Sequence, residues 1–146
     1  MLSAQLLSQI ADTYTPLLLL LSLALCSVTP WRLACTRLVQ LLLSAMLVYG
    51  LMGADKLWYG WASLGLDYST HTAAALALVV FAGRSLGKRL AWVCLLTSLL
   101  TYGELMFYLG YHSWADMFST AVVMVLGLWA IYRVISVPIG SKKTVN

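Results

Sequence analysis

The chain carries little charge. Only 10% of its 146 residues are Asp, Glu, Lys or Arg, against about 25% in soluble domains. That scarcity excludes an ordinary soluble globular domain. Cysteine is scarce too: Cys26, Cys35 and Cys94 have neither a CxxC nor a ligand-like spacing. They read as small apolar fillers, with no disulfide framework. No basic residue precedes the first apolar run, which excludes a typical signal peptide. Histidine occurs only twice, at His71 and His112. What the chain has in excess is apolar surface, 62% hydrophobic residues with a mean hydropathy of +0.88. Residues 1–146 are therefore expected to form a single transmembrane domain, an all-α integral membrane bundle of about five transmembrane helices. No nucleic-acid partner is expected.

Residues 1–13 are mildly amphipathic, with Leu2, Leu6, Leu7 and Ile10 on one helical face, and read as an interfacial helix. Thr15-Pro16 reads as a helix start, an N-cap followed by proline at the first position. The apolar run that follows stops at Pro30. Residues 16–29 would give only about 21 Å of helix, short for a hydrocarbon core of about 30 Å. Either the helix continues back through Pro16 or this segment does not span. Trp31–Arg37 reads as a polar turn and Leu38–Ala54 as the second span. Asp55–Asp67, with Trp58, Tyr59, Gly60, Trp61 and Gly65, suits a membrane-surface connection. Leu66–Gly83, Leu90–Gly110 and Met117–Ser136 are the remaining spans. Residues 140–146 read as a flexible tail.

Alternating sides along these spans separates the charges. One side receives Arg32, Arg37, Arg84, Lys88, Arg89, Arg133, Lys142 and Lys143, and the other receives Lys56 with all five acidic residues. The positive-inside rule puts the basic side and the C-terminus in the cytoplasm. The expected location is a bacterial inner membrane, with both histidines facing the periplasm.

The histidines lie in two short polar stretches, Asp67-Tyr68-Ser69-Thr70-His71-Thr72 and Tyr111-His112-Ser113-Trp114-Ala115-Asp116. His112 and Asp116 are four apart, hence one turn apart if helical. A carboxylate so placed can accept a proton from one ring nitrogen and raise the basicity of the other. A histidine prepared in this way is a nucleophile or general base, and a second histidine at the same level could protonate a leaving group. Asp67 and His71 are also four apart, so two Asp/His pairs could alternatively build a metal site.

Ser69-Thr70-His71-Thr72 resembles the Ser-Gly-His-Thr motif of the type 2 phosphatidic acid phosphatase superfamily. His112-x-x-x-Asp116 resembles that superfamily's last motif, and the 41 residues between the histidines fit one helix down and one back. The pattern is nearest the sphingomyelin synthase-like branch, and the resemblance covers about Asp67 to Leu128. It implies a membrane-embedded lipid phosphatase or lipid head-group phosphotransferase. His112 would form a phosphohistidine, Asp116 would hold it, and His71 would protonate the leaving alkoxide. Lys56, Ser69, Thr70 and Tyr111 would bind the phosphate ester or diester of a membrane lipid, without metal or other cofactor. The chain departs from the phosphatase pattern in three places. It lacks an Arg-Pro motif, has Leu105 and Met106 where a Ser-Arg pair is expected, and has Thr70 in place of glycine. These departures leave open an alternative, a non-catalytic membrane subunit or lipid-binding scaffold with a protein partner or as a homo-oligomer.

Overall fold

A computed structural model describes residues 3–135. Five α-helices follow one another: α1 (Ala4–Ser27), α2 (Trp31–Trp58), α3 (Thr70–Leu86), α4 (Arg89–Tyr108) and α5 (Trp114–Val134). A 3-10 turn at Ala62–Leu64 lies in the α2–α3 connection. There is no strand among the described residues. α1, α2, α4 and α5 are each long and apolar enough to cross a membrane. This is the helical membrane bundle that the composition demanded. The segment 140–146 lies outside the described residues.

α3 is the axis of the bundle. It packs against all four other helices, and nine of its 17 residues are buried, against two of 20 in α4. At 1.5 Å per residue it is only about 25 Å long, but its neighbours shield it from lipid. Its alanines allow close approach. Ala73, Ala75 and Ala82 are fully enclosed, together with Val79 and Phe81. Gly83 serves the same purpose: a Cβ there would lie 2.7 Å from the indole of Trp92 on α4.

Three element boundaries differ from the sequence expectations. The interfacial helix and the first span are one helix, capped by Ser3, whose side chain accepts from the Leu6 N–H. Thr15-Pro16 is therefore not its start. Pro16 sits inside α1, where it costs one hydrogen bond, to the carbonyl of Asp12. The continuous 24-residue helix is long enough to cross where residues 16–29 alone are not. Leu6 and Ile10 face outward, while Ser8 and Tyr14 make hydrogen bonds across the bundle to Tyr111 and Ser98. In lipid the polar edge of such a helix turns inward.

Second, Trp31–Arg37 is helical, with Pro30 as the N-cap of α2. The reason is tertiary. Arg37 Nη1 donates to Leu25 O at 2.9 Å and Nη2 to Ser85 O at 3.0 Å. One guanidinium thus meets carbonyls in the last turns of both α1 and α3. Gln40 Nε2 donates to Ile135 O, the C-cap of α5, at 2.8 Å. Third, α2 runs on to Trp58 and ends at Tyr59 in a left-handed conformation (φ 53°). Asp55 Oδ1 accepts the Trp61 N–H at 2.8 Å and folds the connection back.

Candidate active site at the acidic end

The antiparallel helices carry Arg32, Arg37, Arg84, Lys88, Arg89 and Arg133 to one end of the bundle. α3 and α5 both begin at the opposite end, and each begins with a serine. Ser69 Oγ accepts the Thr72 N–H at 3.3 Å. Ser113 Oγ accepts the Asp116 N–H at 3.2 Å, and the Asp116 carboxylate accepts the Ser113 N–H at 2.8 Å, a capping box.

Asp116 also fixes where α3 starts. Its Oδ1 accepts the backbone N–H of Asp67 at 2.8 Å. Thr120, one turn further along α5, accepts the Ser69 N–H at 3.1 Å. Two residues of extended chain span about 6.6 Å, close to one helical turn of about 5.4 Å. The 67–69 segment is therefore clamped in register along α5. The clamp brings the two histidine stretches together: the His71 and His112 rings lie with centroids 6.3 Å apart.

Their surroundings revise the expected roles. His112 precedes the N-cap and stands outside α5, so the one-turn relation to Asp116 does not apply. The Asp116 carboxylate is engaged by Asp67 N–H and by the Ser113 N–H and hydroxyl. The carboxylate facing the His112 ring is that of Asp67, with Oδ2 3.4 Å from His112 Nδ1. At that distance Nδ1, which is buried, makes no hydrogen bond. The His112 side chain is 12% exposed and that of Asp67 71%. Burial pushes the His112 pKa below the ordinary histidine value. The nearby Asp67 charge opposes this, His71 adds to it and Asp116 opposes it. The shift favours the neutral imidazole, the state a nucleophile or base requires.

Ser69 is buried and used in capping, with its hydroxyl donating to Thr72 Oγ1 at 2.8 Å, so it is not placed to touch a ligand. Lys56 is exposed in the last turn of α2, where a cation complements the helix dipole. Thr70 and His71 line a cavity of about 230 Å³ with Ala11, Asp12, Thr15, Tyr49 and Ala74. Tyr111 lies near-parallel to His71, centroids 6.4 Å apart, and its hydroxyl is 2.8 Å from Ser8 Oγ. Asp12 is the ninth residue of α1. The cavity is thus recessed by about 12 Å from that helix's start. Among the described residues no group of three His, Cys, Asp or Glu side chains is arranged to hold a metal.

Sequence reasoning missed the α1 contribution. Ser8, Asp12 and Thr15 follow a helical spacing that marks a polar edge on α1. The position of Asp67 beside His112 had no sequence signal, because the two are 45 residues apart.

No protein-family model, curated protein or solved structure matches this chain.

Proposed function

We propose that this protein is a membrane-embedded phosphoryl-transfer enzyme acting on a lipid phosphate ester or diester, by hydrolysis or head-group transfer. The observation that carries the reading is the approach of His71, which lines a cavity from the first turn of α3, to the half-buried His112 just before α5. The resemblance of both motifs to the type 2 phosphatidic acid phosphatase superfamily points the same way.

Asp67 beside Nδ1 leaves Nε2 of His112 as the attacking atom. Nε2 bonds to phosphorus as the ester P–O bond breaks, and His71 gives its proton to the departing alkoxide. His71 then takes a proton from water or from an acceptor hydroxyl, whose oxygen attacks the phosphohistidine and frees His112. The amides of Thr70 and His71 open α3 and have no carbonyl partner within the helix. They are donors for phosphate oxygens. Asp116 acts one step back, by holding the 67–69 segment on α5. By the positive-inside rule the basic end is cytoplasmic. The site would then face the periplasm of a bacterial inner membrane.

Phosphate release by the purified protein from a panel of lipid phosphates in EDTA tests this. Release is expected to persist in EDTA and to fall by about 10⁴-fold or more in His112→Ala; full activity in that variant would sink the mechanism. In sealed right-side-out vesicles an impermeant phosphate ester added outside should be turned over. Turnover only after detergent would reverse the orientation.

One observation favours a second reading, a subunit whose basic residues come from a partner. The described arginines all lie at the end of the bundle away from the histidines. Constant co-purification with another membrane protein, and turnover only in that complex, would select it.

A further inference from the structure

The cavity beside His71 shares part of its wall with a second cavity. Three of its lining residues, Thr15 on α1, Tyr49 on α2 and Ala74 on α3, also line this second cavity, of about 270 Å³, in the cleft between those helices. The upper cavity presents Asp12, Thr70 and His71. Below the shared residues the walls become apolar, with Leu19, Leu41, Ala45, Val48, Ala77 and Leu78. The one hydroxyl at that depth, Ser44 Oγ, is spent on Gln40 O at 2.8 Å. From Tyr49 to Leu41 the cleft follows two turns of α2, about 12 Å. Apart from the Thr15 and Ser44 hydroxyls its walls are hydrocarbon, and an apolar cavity of this kind takes up hydrocarbon.

We propose that this cleft holds one hydrocarbon chain of the lipid whose phosphate sits at His71. The inference rests on the phosphoryl-transfer reading and adds to it how the substrate is seated. The α1–α2–α3 cleft would measure the tail, while the histidines read only the phosphate. A different apolar cleft, between α3, α4 and α5, is lined by Thr72, Leu100, Gly103, Met117 and Phe118. It shares no lining residue with the His71 cavity. The wall that the α1–α2–α3 cleft shares with that cavity is what singles it out. Alanine side chains make its room: Ala74 and Ala77 on α3 face Ala45 on α2 across it.

The test uses the full chain, purified in detergent, and a phosphatidic acid bearing a photoactivatable diazirine near the end of one acyl chain. Cross-links are expected on Leu19, Leu41, Ala45, Val48, Ala77 and Leu78. They should be competed by unlabelled phosphatidic acid but not by a fatty alcohol of equal length. Ala45→Trp fills the cleft from its exposed edge, without entering the buried core. It should cut those cross-links about tenfold, and cut kcat/KM for a long-chain substrate about tenfold relative to a short water-soluble phosphate ester.

Three results would overturn the proposal. One is labelling of the outward-facing Leu17, Leu20 and Met46 whether or not the probe has a phosphate. Another is labelling of the α3–α4–α5 cleft instead. The last is an equal fall for long and short substrates in Ala45→Trp. Absence of turnover with either substrate in the unaltered protein would refute phosphoryl transfer, while the cross-link map would still decide what occupies the cleft.

Discussion

The two ends of this bundle solve the same problem with opposite chemistry. Helices leave carbonyls unbonded where they end and N–H groups unbonded where they begin. At the basic end α1, α3 and α5 finish, and α2 supplies the donors: Arg37 reaches α1 and α3, and Gln40 reaches α5. At the acidic end α3 and α5 start, and Ser69, Ser113 and Asp116 supply the acceptors. The difference lies in what is left over. Arg37 is committed to backbone, and Arg84 lies over the Tyr132 ring at 4.6 Å. At the acidic end the buried Nδ1 of His112 makes no hydrogen bond, and His71 opens onto a cavity. Arg37 and Arg84 are taken up by structure at one end and Asp116 at the other, which leaves His71 and His112 as the groups on which the proposed chemistry rests.

Substitutions at the two ends should separate these roles. The largest effect is expected from Asp116→Ala, which strips acceptors from the Asp67 and Ser113 N–H groups and from the Ser113 hydroxyl. A loss of about 3 kcal/mol is expected, read as a lower thermal midpoint in detergent, with turnover lost because the histidines drift apart. Unchanged stability would mean that the clamp is not a structural element.

Arg37→Ala should come next, at about 2 kcal/mol, since it exposes carbonyls in the last turns of α1 and α3. Its turnover per folded molecule should be retained. A large loss of kcat in the folded fraction would break the division between ends. The smallest effect is expected from Asp67→Asn, because water screens an exposed carboxylate. Turnover should fall about tenfold, since Nδ1 loses its orienting charge. The Asp67 carboxylate raises the His112 pKa, so its removal lowers that value further. The acidic limb of kcat/KM should therefore move to lower pH, and a move to higher pH would contradict the pairing. In the unaltered protein the depressed His112 value means that the unfolded state takes up the proton first. His112 should accordingly weaken the fold as pH falls below the ordinary histidine range of about 6.5.

Much of the fold was legible because its signal is local. Long apolar runs set the last three helices to within a few residues: Leu90–Gly110 was expected for α4 and Arg89–Tyr108 is found. Pro16 left the first helix open between a start at Thr15 and a run back through the proline, the alternative found, because a proline looks the same at a helix start and inside a helix. A membrane-spanning helix can tolerate the missing hydrogen bond when its neighbours support it. Trp31–Arg37 misled because arginine in a polar stretch suggests a turn. Nothing local shows that Arg37 will find the ends of two other helices.

The sequence by itself determined the membrane bundle, the separation of basic from acidic ends, and the presence of His71 and His112 at the same end. Hydropathy, helix length and charge are additive along a chain, so they can be read without a fold. Only the tertiary structure decided which carboxylate faces His112, that Ser69 is buried, and that the His71 cavity shares a wall with an apolar cleft. Those facts depend on the register of Asp67 and Ser69 against Asp116 and Thr120. Hydrogen bonds between residues some fifty positions apart fix that register, and no local pattern encodes it.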